Sequence, residues 1–148
     1  MELKIRSFNE LTGVEVYEIL KSRAEVFVVE QDCVYQDIDD KDKKSYHLFF
    51  EDNNRVVAYV RAIPCGVSYK EASIGRVITL KEYRGTGISK KLMIEAINFI
   101  ENHYGETKIR ISAQKYIIKF YENVGFKQVT ESYLEDDIPH VGMLYEKK

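Results

Sequence analysis

Arg84-Gly85-Thr86-Gly87-Ile88-Ser89 joins a basic residue, two glycines one residue apart and the first residues of an apolar helical pattern. It follows the β-branched run Val77-Ile78-Thr79. A glycine turn that opens a helix leaves backbone N–H groups unpaired at the positive end of the helix dipole, which is what a phosphate or pyrophosphate needs. An anion is therefore expected to dock on this turn. A Walker loop would need four residues between its glycines and then Gly-Lys-Ser/Thr, and a dinucleotide fingerprint would need a third glycine where Lys90 stands. Neither ATP nor NAD is expected. A glycine turn also serves as a strain-free strand-to-helix link, so the turn alone does not decide a function.

The elements that must carry this turn follow from spacing. Leu3, Ile5 and Phe8 mark a first strand, and Thr12-Gly13-Val14-Glu15 reads as a capping box. It opens a helix with Val16, Leu20, Ala24, Phe27 and Val28 on one stripe, ending near Val29-Glu30-Gln31. Asp37 to Lys44 is dense in charge, lacks the spacing of a calcium loop, and is expected to be a solvated loop. Tyr46 to Phe50 and Arg55 to Ile63 form a hairpin about Asp52-Asn53-Asn54. Ser73 to Leu80 is a further strand. The helix after the glycine turn repeats Leu92, Met93, Ala96, Ile97 and Ile100, and closes near Tyr104-Gly105. Lys108 to Ala113 alternates, with Ile109, Ile111 and Ala113 on one face. A shorter helix is predicted from Tyr116 to Val124, closed by Gly125. Strands near Lys127 to Ser132 and Val141 to Tyr145 follow, separated by an acidic loop with Pro139 and His140. The unit from Ile74 to Ala113 should be a right-handed crossover joining two parallel strands. The fold class is α/β (α+β), a mixed sheet flanked by helices.

Composition narrows the partners. The chain has 148 residues, which fits one domain spanning 1–148 with a single core. Its formal net charge of -2 gives no global field toward nucleic acid. No apolar run approaches the ~18 residues of a membrane span. Cys33 and Cys65, its two cysteines, lack metal or redox spacing, and the charged N-terminus lacks a signal-peptide core, so a cytoplasmic protein with free thiols and no metal is expected.

One strand and one helix after the turn comes Phe120-Tyr121-Glu122-Asn123-Val124-Gly125-Phe126. Together the two segments resemble the GNAT superfamily of N-acetyltransferases, with Ser89 at a position where another small residue is usual. Arg23-Ala24-Glu25-Val26-Phe27-Val28-Val29-Glu30-Gln31, Gly75-Arg76-Val77, Ser112-Ala113-Gln114 and Glu135-Asp136-Asp137-Ile138-Pro139-His140-Val141 look like its ElaA-like subgroup.

The resemblance implies a mostly antiparallel sheet with a central splayed parallel strand pair, and acetyl-CoA as cosubstrate. It implies that the amides of Arg84, Gly85, Thr86, Gly87, Ile88 and Ser89 hold the pyrophosphate. Val77, Ile78, Thr79 and Gln114 would meet the pantetheine arm. Tyr121 takes the position of the general acid, and its phenol stays protonated at neutral pH. For the base, Glu30, Glu135 and His140 stand in segments that border the acceptor cleft, and the choice among them is open. The acceptor is a small-molecule amine or a protein or peptide amine, and a homodimer is expected. A non-catalytic acyl-CoA-binding or sensing module on the same fold is the competing class, since fold does not settle function.

Overall fold

A computed structural model describes all residues, 1–148. Strand β1 (Glu2–Ser7) leads to helix α1 (Gly13–Ala24), which widens into a π-type turn over Glu25–Glu30. A short helix α2 (Lys41–Lys44) precedes β2 (Tyr46–Asp52), β3 (Arg55–Ile63) and β4 (Ser73–Thr79). Then come α3 (Ile88–Phe99), β5 (Lys108–Gln114), α4 (Ile118–Glu122), β6 (Phe126–Gln128), β7 (Tyr133–Glu135) and β8 (Ile138–Glu146).

Strands β1-β2-β3-β4 form one antiparallel sheet; β5-β8-β6, with β7 also on β8, form another. The two sheets meet where β4 and β5 begin, through a parallel bridge between Ala72 and Ile109 and an Arg110 amide that donates to the Ala72 carbonyl at 2.8 Å. Beyond that point β4 and β5 diverge as a V, which is the splayed parallel pair that the family resemblance implied. The predicted alternation of β5 holds, with Ile109, Ile111 and Ala113 all buried. So does the stripe of α3 and the π-type turn that extends it over Ile100–Tyr104, where Leu92, Met93, Ala96, Ile97 and Ile100 pack into a single core. The capping box at α1 is complete: Glu15 N donates to Thr12 Oγ1 at 3.1 Å and Thr12 N donates to Glu15 Oε1 at 2.9 Å.

Five sequence readings need correction. Ala24 and Val28 are exposed, and the inward face of the first helix is Ile19, Ser22, Arg23, Val26 and Phe27. Ser22 reaches inward because its hydroxyl donates to the Val56 carbonyl. Arg23 does so because aspartates meet it: the segment from Asp37 to Lys44 is not a solvated loop. Asp37 and Asp42 bind Arg23, Asp39 and Asp42 bind Arg61, and Asp37 and Asp39 bind Arg76. Buried guanidinium groups demand buried counter-charges, and that demand pulls the acidic segment in.

The acidic stretch before β8 is a hairpin rather than a loop. Asp136 and Asp137 have φ of 50° and 63°, the left-handed pair of a two-residue turn that aspartate tolerates, so Pro139 and His140 lie in β8. The preceding strand is only Phe126–Gln128, since Thr130 Oγ1 takes over the Gly142 amide at 2.8 Å. The helix predicted from Tyr116 to Val124 is a 3₁₀ turn over Lys115–Ile117 followed by α4.

His47 closes the buried charge cluster. Its Nε2 faces the Asp42 carbonyl oxygen at 2.9 Å, an acceptor only, so Nε2 carries the proton and Nδ1 accepts from the Tyr59 hydroxyl at 2.6 Å. Burial holds the imidazole below its ordinary value, assisted by the nearby guanidinium groups. Between that lowered value and about 6.5 only the unfolded chain takes up the proton, so stability is lost there as the pH drops, by up to about 1.4 kcal/mol per pH unit. Urea titrations at pH 7.5 and 5.5 are expected to show a lower midpoint at pH 5.5, and His47→Gln a smaller difference between them.

Candidate active site

The arms of the V enclose a cleft of about 380 Å³. One wall is the open edge of β4. Leu80 N donates to Val57 O at 2.9 Å, so strand alternation turns the backbone of Ile78 to β3 and leaves that of Val77 and Thr79 facing the cleft. Of the three β4 residues singled out in the sequence, Ile78 is thus the one whose backbone is spent within the sheet. Register slips between Tyr59 and Arg61, so Arg76 and Val77 together oppose Val60 in a β-bulge, with Arg76 at φ 52°.

The glycine turn stands at the end of this wall. Gly87, at φ 84° and ψ 0°, caps α3 without a side-chain bond, a conformation that glycine adopts freely. The Arg84 amide, expected to face the anion, is spent on the Lys81 carbonyl at 3.3 Å, whereas none of the backbone amides of residues 85–90 donates to an acceptor in the chain. Six successive N–H groups and the positive end of α3 therefore converge with no internal partner. Ile88 contributes only its amide, because its side chain is in the core. The Ser89 hydroxyl is bonded to Thr79 Oγ1 at 2.6 Å, and the Thr86 hydroxyl donates to the Tyr83 carbonyl at 2.7 Å.

Arg84 donates through Nε to the Thr79 carbonyl at 3.0 Å and grips both oxygens of Glu30. The Arg84 guanidinium holds the Glu30 carboxyl below the usual carboxylate range. A carboxylate so held accepts a proton poorly, which counts against Glu30 among the three candidate bases.

The other wall comes from β5, α4 and the β7–β8 hairpin. The Gln114 side chain exchanges amide contacts of 3.3 and 3.4 Å with Gln31. The sequence reading left Gln31 out of the site, for its partner is 83 residues away. Tyr121 is buried and lines the cleft, and its hydroxyl makes no hydrogen bond within the chain; burial pushes its phenol up from the ordinary value. Phe120 and Phe126 hold its ring edge-on at centroid distances of 5.1 and 6.0 Å.

Glu135 and His140 meet across the hairpin. His140 Nδ1 lies 2.7 Å from the Ile138 carbonyl oxygen, so Nδ1 carries the proton and the lone pair of the neutral ring sits on Nε2. Nε2 is 3.5 Å from Glu135 Oε2, whose other oxygen accepts from the Ser112 hydroxyl at 3.0 Å. Tyr133 stacks on the imidazole at 6.3 Å and shares a 2.6 Å hydrogen bond with Ser112. Ser112 also escaped the sequence reading, although alternation from buried Ile111 and Ala113 puts it on the opposite face of β5.

Residues 9–147 match the model of the acetyltransferase (GNAT) domain. Escherichia coli ElaA is 37% identical over 140 residues, covering 93% of this chain and 92% of that protein. Its crystal structure superposes with a TM-score of 0.92 over 99% of this chain and 100% of that one. An acyl-CoA N-acyltransferase from Pseudomonas aeruginosa superposes with a TM-score of 0.91 at 36% identity, over 98% and 99% of the two chains. A UPF0039 protein of Synechocystis is 40% identical over 139 residues, 93% of this chain and 90% of its own. No helix is long and apolar enough to cross a membrane. With its V-shaped cleft, glycine turn and chain-long likeness to these proteins, the chain belongs to the GNAT acetyltransferase family and is ElaA-like within it.

Proposed function

We propose that the protein is an acetyl-CoA-dependent N-acetyltransferase that passes the acetyl group directly to a primary amine in a ternary complex. The observation that carries this reading is the run of unpaired amides at residues 85–90, set at the end of a cleft that also holds an unbonded, buried tyrosine. These residues fit the cosubstrate: amides 85–89 suit a pyrophosphate, while the open-edge backbone of Val77 and Thr79 and the Gln114 amide suit an amide-bearing arm. When bound, acetyl-CoA supplies an activated acyl group and a thiolate leaving group.

The chain's own groups then have distinct tasks. A backbone N–H on the Val77–Thr79 edge stabilises negative charge developing on the acyl oxygen, an effect worth about 3 kcal/mol for one donor elsewhere. The Tyr121 phenol, kept neutral by burial, gives its proton to the departing sulfur and is restored by the proton that the nitrogen sheds as the amide forms. The lone pair on His140 Nε2 takes the proton of the acceptor ammonium, directly or through one water, and Glu135 steadies the imidazolium. Glu30 keeps its bond to Arg84 and shapes the wall. The acceptor is a small-molecule or protein amine.

Thermal unfolding with CoA, acetyl-CoA, ATP and NAD in separate samples tests the reading. A ligand at about 100 times its dissociation constant adds about 2.7 kcal/mol. The midpoint is expected to rise with CoA and acetyl-CoA only, and thiol release should then follow with members of an amine panel. No rise with either CoA species removes the reading; a rise without thiol release favours the non-catalytic acyl-CoA module.

A further inference from the structure

Arg76 has the one left-handed backbone conformation in β4, at φ 52°. A long side chain without the local hydrogen bonding of Asn or Asp does not rest there unaided, so the surroundings must hold it. Its own guanidinium supplies the grip. Nε lies 2.8 Å from Asp37 Oδ1, and Nη2 lies 3.0 Å from the Asp37 carbonyl oxygen and 3.3 Å from Asp39 Oδ2. The guanidinium also covers the Tyr35 ring, 5.3 Å from its centroid. These aspartates are themselves fixed. Arg23 on α1 bonds Asp37 Oδ2 at 3.0 Å and the Asp37 carbonyl at 2.8 Å. Arg61 on β3 bonds both oxygens of Asp39, at 2.6 and 3.0 Å, and stands opposite Gly75, the residue just before the bulge. The residue that throws β4 out of register is thus gripped by a segment tied to the strand and the helix on either side.

We propose that Arg76, through Asp37 and Asp39, is a positioning residue that fixes the β4 bulge and so aims the Val77 backbone at the acyl group; this rests on the acetyltransfer reading above. A plain ladder would remove the extra residue, and sliding by one residue turns each side chain and each backbone group to the opposite side. Val77 would then present β3, not the cleft, with the groups on which acyl transfer depends. The clamp opposes that slide from outside the sheet. It also explains why three acidic residues of one short segment turn inward: two of them reach the bulge, and the third, Asp42, neutralises the arginines that hold those two.

The test compares wild type with Arg76→Ala, Arg76→Gly and Arg76→Lys. Glycine adopts φ 52° without strain, so it separates backbone comfort from the side-chain grip. Lysine keeps the charge and loses the fork. Three quantities are read: kcat for acetyl transfer, CoA affinity by calorimetry, and hydrogen exchange of the Ile78 amide relative to the β1–β2 ladder. In Arg76→Ala, kcat is expected to fall about tenfold, CoA affinity to stay within twofold, and Ile78 to exchange at least tenfold faster. Arg76→Gly should melt higher than Arg76→Ala without regaining kcat, and Arg76→Lys should regain part of it. Full kcat in Arg76→Gly, or kcat within twofold of wild type in Arg76→Ala, overturns the proposal. Wild type that transfers acetyl to no amine defeats the acetyltransfer reading instead. The Ile78 amide then decides the clamp by itself, and unchanged exchange in Arg76→Ala overturns it.

Discussion

Tyr121→Phe is expected to lower kcat for acetyl transfer at least 100-fold while acetyl-CoA affinity stays within twofold. The size follows from what a positioned proton donor contributes, about 10² to 10⁴ in rate. The sharpness of the contrast follows from the site. Tyr121 is 5% exposed, its ring is held edge-on by Phe120 and Phe126, and its hydroxyl has no partner in the chain. Phenylalanine keeps the ring and its packing and breaks no hydrogen bond, so the unfolding midpoint should move little. The hydroxyl is the only group removed. Burial pushes the phenol up, which keeps it protonated throughout the neutral range and ready to donate. Steady-state thiol release at saturating acetyl-CoA, with calorimetric binding of CoA to both proteins, reads the two effects separately. Unchanged turnover would take Tyr121 out of the chemistry and leave its ring as packing.

The parts of this architecture that were legible in the sequence are those set by local periodicity. The stripe from Leu92 to Ile100, the alternation of Ile109, Ile111 and Ala113, and the Thr12–Glu15 box each need only neighbours a few residues away. The glycine turn was legible for the same reason, since Gly85 and Gly87 mark left-handed backbone wherever the rest of the chain goes. Pairings of charge were not legible. Glu30 reads as a candidate base until Arg84, 54 residues on, closes on it. Arg76 carries no sign in the sequence that its partners are Asp37 and Asp39, 39 and 37 residues back. Asp37 to Asp42 reads as a solvated run because hydropathy counts the charges of the segment and not the guanidinium groups waiting for it. The Asp136–Asp137 turn was hidden too, since a two-residue turn made of acids reads like any acidic loop. The misses among the charge pairings have one cause: a charged side chain is soluble alone and buried in a pair, and only the tertiary fold names the partner.

That dependence on partners makes Asp42 the most sensitive point for stability. Its Oδ1 receives Arg23 at 2.8 Å and Arg61 at 2.9 Å, and both arginines are almost wholly buried, at 1% and 2% exposure. Burial alone would raise its carboxyl; the two guanidinium groups outweigh that and hold it below the usual range. Asp42→Asn keeps the volume and removes the charge, which leaves three arginines against two aspartates, with Arg23 and Arg61 themselves almost wholly buried. Removing one partner of a buried ion pair costs about 3 to 5 kcal/mol. For a chain of 148 residues, 3 kcal/mol corresponds to a drop of about 10 °C in the unfolding midpoint. The sign with pH runs the same way. A carboxyl lowered in the folded state adds stability above its unfolded value, near 3.9, and loses it as pH falls through the lower folded value. Wild type is therefore expected to lose stability steeply below pH 4, whereas Asp42→Asn begins low and falls less over that range. Urea titrations of the two proteins from pH 7 to pH 3 measure both effects. A loss under 1 kcal/mol at pH 7 would mean that Arg23 and Arg61 satisfy themselves on Asp37 and Asp39, and that the third acid only completes a network two can sustain.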